Sequence, residues 1–119
     1  MIDEMSIYIA VVNIPFRNSG QTCVCANRII VQEGIHDRFV AALKKALEEL
    51  TVGNGLDPKT KQGPLINEKA VLKVEEHIKN ALEKGASVFA GGKRIEGAGT
   101  FFQPTILTDV SEEMLICNE

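Results

Sequence analysis

The 119-residue chain carries 13 Lys and Arg against 16 Asp and Glu, a formal net charge of -3, with 45% hydrophobic and 24% charged residues. That length admits one domain or part of one, able to bury roughly two thirds of its unfolded surface, and leaves no room for separate cofactor and substrate domains. The composition excludes disorder, the charge balance offers no basic stripe to nucleic acid, and the longest apolar run, residues 7–14, is far too short to span a membrane.

Residues 5–14 are mostly apolar without clear alternation and are followed by Pro15, which fits either a buried strand or a short helix. Residues 16–26 are small and polar and read as an ordered loop. Ile29, Ile30 and Val31 then predict a short β-branched strand over residues 28–32. From Asp37 to Leu50 the apolar positions Phe39, Val40, Leu43, Leu47 and Leu50 recur at helical spacing, with Ile35, His36 and Asp37 forming the start. The turn residues Gly53, Asn54, Gly55, Pro58, Gly63 and Pro64 make a surface connection of residues 51–64.

A second helix follows, with Asn67 as its N-cap, Val71, Val74, Ile78 and Leu82 as its apolar stripe, and Gly85 as its left-handed stop. Residues 87–90 predict a strand closed by Gly91 and Gly92, and residues 101–110 another, placed at an edge or a strand start by Pro104. Strands alternating with amphipathic helices across long connections predict an α/β fold. Its sheet is expected to be mostly parallel with helices on its faces, allowing an antiparallel final strand.

The loop RNSGQTCVCAN, residues 17–27, sets two thiols among small polar residues. Cys23 and Cys25 can be small buried hydrophobes, half of a metal site, or a catalytic nucleophile and its neighbour. The metal reading is the weakest, because Cys117, His36 and His77 supply no second clustered pair. Arg17 offers the loop a cation, and Gly20 allows close backbone approach. The 3 cysteines, an odd number, and the absence of a charged-then-apolar leader predict a reducing, cytoplasmic setting.

Elsewhere the signals are structural. The Gly91-Gly92-Lys93 and Gly97-Ala98-Gly99 stretches lack the spacing of a phosphate loop and read as turns. His36 and His77 have no serine, cysteine or carboxylate at a usable spacing and are assigned solvated or capping roles. The runs Lys44-Lys45, Glu48-Glu49 and Glu75-Glu76 are solvated helix faces.

The segment FRNSGQTCVCANRIIV resembles the active-site loop of the aldehyde dehydrogenase superfamily, in the form found in succinate-semialdehyde dehydrogenases. GNGLDPKTKQGPLINEKAV, GASVFAGGKR and FFQPTIL follow in the order seen in that family, so the resemblance runs over residues 16–119. It implies that Cys23 is the nucleophile, attacking an aldehyde to give a thiohemiacetal, which loses hydride to a nicotinamide and is then hydrolysed as a thioester. It implies that the Cys23 backbone N–H helps hold the oxyanion and that Arg17 binds the far carboxylate of a small semialdehyde. It further implies that Cys25 can form a reversible disulfide with Cys23, a strained and labile bond with Val24 alone between them.

The resemblance also implies what lies elsewhere. In the family the nucleotide-binding domain, the general-base glutamate and an oxyanion asparagine precede the cysteine loop, and a cofactor-contacting segment continues beyond the position of Glu119. Residues 1–15 do not resemble the helix that leads into the loop. The expected layout is therefore a non-matching segment, 1–15, and a partial catalytic domain, 16–119. Such a chain is expected to bind no NAD or NADP by itself, to reduce none alone, and to self-associate through uncovered faces, with exchange of residues 7–14. A non-catalytic α/β module with a reactive thiol is the competing expectation.

Overall fold

In the computed structural model, residues 16–119 are described; the expectations for residues 5–14 and for their exchange lie outside the described residues. Helix α1, His36–Leu47, follows the tight turn Glu33–Ile35 and buries Val40, Leu43, Ala46 and Leu47. Asp37 in its first turn and Lys44 and Lys45 in its last turn complement the helix dipole. The apolar pattern predicts a helix reaching Leu50, yet α1 ends at Leu47. Acidic Glu48 and Glu49 oppose the negative end of the dipole, and the chain tightens there through Glu49 N–H to Ala46 C=O, 3.3 Å, and Leu50 N–H to Leu47 C=O, 2.9 Å.

The connection of residues 51–64 is irregular, as its turn residues predict. The Asn54 side chain accepts from Leu56 N–H and the Asp57 side chain from Lys59 N–H, each at 2.9 Å, so two local turns shape it. A parallel bridge between Val52 and Gln62 closes its base.

Helix α2, Glu68–Glu83, begins where predicted: Asn67 Oδ1 accepts from Ala70 N–H at 3.0 Å. It ends as predicted too. Gly85 has φ +100°, Ala86 N–H reaches Ala81 C=O at 2.9 Å and Gly85 N–H reaches Leu82 C=O at 3.1 Å, which satisfies the last carbonyls. The stripe is shifted by one position at its end, since Ala81 is fully buried while Leu82 is 47% exposed.

Strand β1, Ser87–Ala90, pairs antiparallel with β2, Ile106–Thr108, opposing Ser87 to Thr108 and Val88 to Leu107. The strand expected over residues 101–110 contracts to β2 and an isolated bridge between Arg94 and Phe102. Residues 28–32 form no strand. Among the described residues they meet no ladder partner, and Ile30 is fully exposed: β-branched composition favours an extended chain, but a strand requires a neighbour to take its backbone groups. The sheet is expected from the sequence to be mostly parallel, but among the described residues it is one two-stranded antiparallel ladder, since residues 28–32 find no strand there to pair with.

Successive residues of β2 face opposite ways and so join two cores. Ile106 packs with Val40, Leu43 and Leu47 of α1, while Leu107 packs against Ala81, Ala86 and Met114 on the α2 side, beside the short helix α3, Leu115–Asn118. This layering of helix, sheet and helix is the α/β architecture. Phe16, half-buried against the α1 cluster, fixes the entrance to the cysteine loop.

Candidate active site

The loop opens with the tight turn Arg17–Gly20, in which Asn18 and Ser19 take left-handed φ values of 51° and 58°, followed by Gly20 at 78°. Non-glycine residues in that region are held there by their surroundings. Ser19 N–H is shared between Phe16 C=O and Gln62 Oε1, both at 3.0 Å. The Ser19 hydroxyl lies 3.2 Å from Gln62 Oε1 and 2.9 Å from Gly63 C=O, and its single proton serves one of them at a time. Gln21 Nε2 donates to Asn18 C=O at 3.0 Å and Pro64 C=O at 3.4 Å, while Gln21 Oε1 accepts from Ile66 N–H at 2.9 Å.

Beyond that clamp the chain makes a turn, with Cys25 N–H donating to Thr22 C=O at 3.0 Å. Cys23 and Val24 occupy its tip and are exposed. Cys25 is half-buried, its Sγ lying 2.7 Å from Thr22 Oγ1 and 3.5 Å from Arg17 C=O. Both contacts are satisfied when the Thr22 hydroxyl donates to sulfur and the thiol donates to the Arg17 carbonyl. One turn thus presents Cys23 outward and holds Cys25 back. Cys23, Cys25 and Cys117 are all free.

Arg17 is exposed at the other end of the loop, and among the described residues no carboxylate pairs with its guanidinium. Among those residues no acceptor takes the Cys23 amide either. Arg17, Cys23 and Cys25 therefore share one ordered loop, as the sequence suggests. Cys117 lies elsewhere, half-buried in α3, with its carbonyl accepting from Arg28 Nη1 at 2.6 Å. An open cleft of about 160 Å³ flanks the inner side of the loop, lined by Phe16, Ser19, Gln62, Leu65 and Val74 among others; Cys23 and Arg17 are not in its wall.

The structure adds residues that sequence reasoning missed. Gln62, 8% exposed, is the one buried polar residue among those described, and its contact with Ser19 spans a separation that no local pattern announces. The His36 side chain is 40% exposed, in keeping with the solvated role expected of it, whereas that of His77 is 14% exposed, and each meets a carboxylate. His36 Nδ1 meets Asp37 Oδ1 at 3.0 Å, and His77 Nε2 meets Glu119 Oε2 at 3.4 Å, both as pairs without a nucleophile. Glu119 also takes Lys73 Nζ at 2.7 Å, and that ammonium holds its carboxyl below the ordinary value.

Among the described residues, the Gly91-Gly92 stretch does not form a dinucleotide-binding turn. Gly91 and Gly92 lie in a turn between β1 and β2 that leads into no helix, and a Cβ at Gly91 would stand 2.1 Å from Pro104 C=O, so this glycine serves close chain packing. No group of three His, Cys, Asp or Glu able to hold a metal occurs among the described residues.

An α/β layer displaying a cysteine at a turn tip defines the structural class. The sequence model of the aldehyde dehydrogenase family matches residues 3–119, and the chain belongs to the aldehyde dehydrogenase family. Over 104 residues, 87% of this chain, it is 59% identical to the succinate-semialdehyde dehydrogenase (NADP(+)) GabD of Escherichia coli (strain K12), covering 22% of that protein. Glutarate-semialdehyde dehydrogenase of Pseudomonas aeruginosa is 55% identical over 104 residues, again 87% of this chain and 22% of the relative. The crystal structure of an E. coli NADP dependent enzyme superposes with a TM-score of 0.91 at 53% identity, covering 97% of this chain and 24% of the other. The chain spans about a fifth of the length of the curated relatives it matches.

Proposed function

We propose that this chain supplies the nucleophile loop of a semialdehyde dehydrogenase that oxidises a small carboxylated aldehyde, of the succinate semialdehyde type, to the acid with NAD or NADP as hydride acceptor. The observation that supports this most is the exposure of Cys23 at the tip of the Thr22 to Cys25 turn, with Arg17 free of acidic partners among the described residues on the same clamped loop. The relatives' names supply the substrate class and the cofactor class. Because the described residues build no dinucleotide cradle, no step assigned to this chain passes through the cofactor.

In this reading the Cys23 thiolate adds to the aldehyde carbon. A C–S bond forms, the carbonyl electron pair moves to oxygen, and the Cys23 amide N–H stabilises the resulting oxyanion. Arg17 pairs with the distal carboxylate through its planar fork, which distinguishes the substrate from uncharged aldehydes. Cys25 acts as a redox partner: a peroxide takes two electrons and the two thiol protons, leaving a Cys23–Cys25 disulfide and, from hydrogen peroxide, two waters. Oxidation must first break the Cys25 contacts to Thr22 and Arg17, so Cys25 stays back during catalysis. Three free thiols suit a reducing cytoplasmic setting.

Alone, the chain turns over no aldehyde, and exposed Ile30, Leu56 and Ile66 drive self-association. A monomeric sedimentation profile at high concentration would count against the association. The central test is protection of Cys23 from iodoacetamide, read by peptide mass spectrometry. Succinate semialdehyde is expected to slow Cys23 alkylation more than butyraldehyde does, and Arg17→Ala to erase the difference. Equal protection by both aldehydes in the unaltered chain would sink the substrate assignment.

A further inference from the structure

We propose that Gln62 is a positioning residue for the thiol site: acting through Ser19, its side-chain oxygen sets the spacing between Arg17 and Cys23 on which selection of a carboxylated partner depends. This rests on the reading of Cys23 and Arg17 given above and extends it to a residue of a distant segment.

Gln62 is itself held firmly. Its N–H donates to Thr51 C=O and its C=O accepts from Gly53 N–H, both at 3.0 Å, which ties it to the segment leaving α1. Its side chain is buried, so Oε1 has a fixed position and limited access to water. At that position it meets Ser19 N–H, in the middle of the left-handed stretch Asn18, Ser19, Gly20. That stretch reverses the chain between Arg17 and Cys23. Whatever keeps it left-handed therefore fixes how the two side chains stand to each other.

Two further contacts make the constraint specific to this end of the loop. The Ser19 hydroxyl bridges toward Gln62 Oε1 and Gly63 C=O, and Gln21 spans Pro64 C=O and Ile66 N–H. Residues 62–66 thus grip the loop on the Arg17 side of Cys23, while the Thr22 to Cys25 turn closes the other side. Removal of the Gln62 acceptor leaves Ser19 N–H with the strained turn's own Phe16 carbonyl alone. The backbone there can then relax toward ordinary φ values while the helices and β-ladder stay packed.

The test compares alkylation of Cys23 by iodoacetate and by iodoacetamide in the full chain. In each case the thiolate forms an S–C bond and iodide leaves, so the two reagents differ chiefly in their carboxylate. The ratio of the two rates at Cys23 reports the nearness of the Arg17 charge, and the same ratio at Cys117 is the internal control. Arg17→Ala is expected to lower the Cys23 ratio about fivefold, the size of one exposed charge interaction. Gln62→Met, similar in length but lacking the amide oxygen, is expected to lower it by a comparable factor with the Cys117 ratio unchanged.

General loosening would move Cys117 as well. Should Gln62→Met fail to fold, Gln62→Leu decides the matter, because it too removes the amide oxygen that Ser19 N–H meets, and a comparable fall is expected. An unchanged Cys23 ratio in a folded Gln62→Met, or in Gln62→Leu if that is the decisive variant, would overturn this proposal alone. A ratio insensitive to Arg17→Ala would instead overturn the underlying assignment of Arg17, and this proposal with it.

Discussion

Ser19 and Gln62, 43 residues apart, meet where the serine's backbone N–H and hydroxyl converge on one amide oxygen, at 3.0 Å from the backbone nitrogen and 3.2 Å from the hydroxyl. The contact joins a loop of unfavourable backbone conformation to a buried side chain on a pinned segment. The strain and the clamp can be separated experimentally at the neighbouring Asn18, at φ 51°. Asn18→Val places a β-branched side chain in the left-handed region and is expected to cost about 1–3 kcal/mol of stability. Asn18→Gly is expected to leave stability within about 1 kcal/mol of the parent or to raise it. Urea unfolding of the two variants checks this, and equal stabilities would show that the backbone there is not strained.

Gly91 is required for a different reason. It has φ +67°, and a Cβ would stand 2.1 Å from Pro104 C=O and 2.9 Å from Thr105 Oγ1, so an added side chain strikes backbone. Gly91→Ala must displace the chain beside the β1–β2 ladder. A loss of about 2 kcal/mol or more is expected from strain and disturbed packing. Gly97→Ala provides the comparison: Gly97 also has positive φ but nothing lies within 4 Å of its Cβ position, and it should cost less. If the two variants unfold at the same denaturant concentration, steric approach at Pro104 is not what selects glycine.

Much of this architecture is legible because its determinants are local. Asn67 before an apolar stripe and Gly85 after it mark α2, and both act as their chemistry predicts, through a side-chain cap and a left-handed stop. The RNSGQTCVCAN loop stands out by composition, so the places of Arg17, Cys23 and Cys25 on one loop could be read early. Residues 28–32 mislead because β-branched composition cannot supply a pairing partner. Gln62 leaves no trace, since its importance arises only when residues 62–66 fold onto the loop. Arg28 is hidden for the same reason, its acceptor Cys117 lying 89 residues away.

Glu119 gives a pH dependence of definite sign. Its carboxyl is held below the ordinary value of 4.5 by a hydrogen bond from Lys73, then by the Lys73 charge, with a smaller contribution from His77. A carboxyl lowered in the folded state contributes stability above its unfolded value and loses that contribution as pH falls through the lowered folded value. The ion pair should therefore matter at neutral pH and fade in acid below about pH 4.5. Thermal unfolding of the parent and of Glu119→Gln across that range should converge as pH falls. Curves that stay parallel would show that the pair contributes nothing to folding.

The contact between Arg28 and Cys117 predicts a change at a thiol far from the variant in sequence. Arg28 Nη1 donates to the Cys117 carbonyl at 2.6 Å, near the C-terminal end of the short helix α3. A guanidinium at that end satisfies a carbonyl and complements its partial negative charge. Cys117 is half-buried, and a helix of four residues has little stability of its own, so loss of the tether should loosen α3 and expose the sulfur more often. Arg28→Ala is expected to speed iodoacetamide alkylation of Cys117 roughly fivefold, about 1 kcal/mol for one exposed charge-assisted bond. Arg28→Lys should recover part of the protection, because an ammonium can still donate but cannot reproduce the planar guanidinium geometry. Leu115 N–H is held separately by Asn80 Oδ1 at 3.0 Å, so the start of α3 should keep its protection against hydrogen exchange while its end loses it. If the whole helix exchanges faster, Arg28 supports α3 as a unit rather than its terminus, and unchanged Cys117 reactivity would remove the tether from the account altogether.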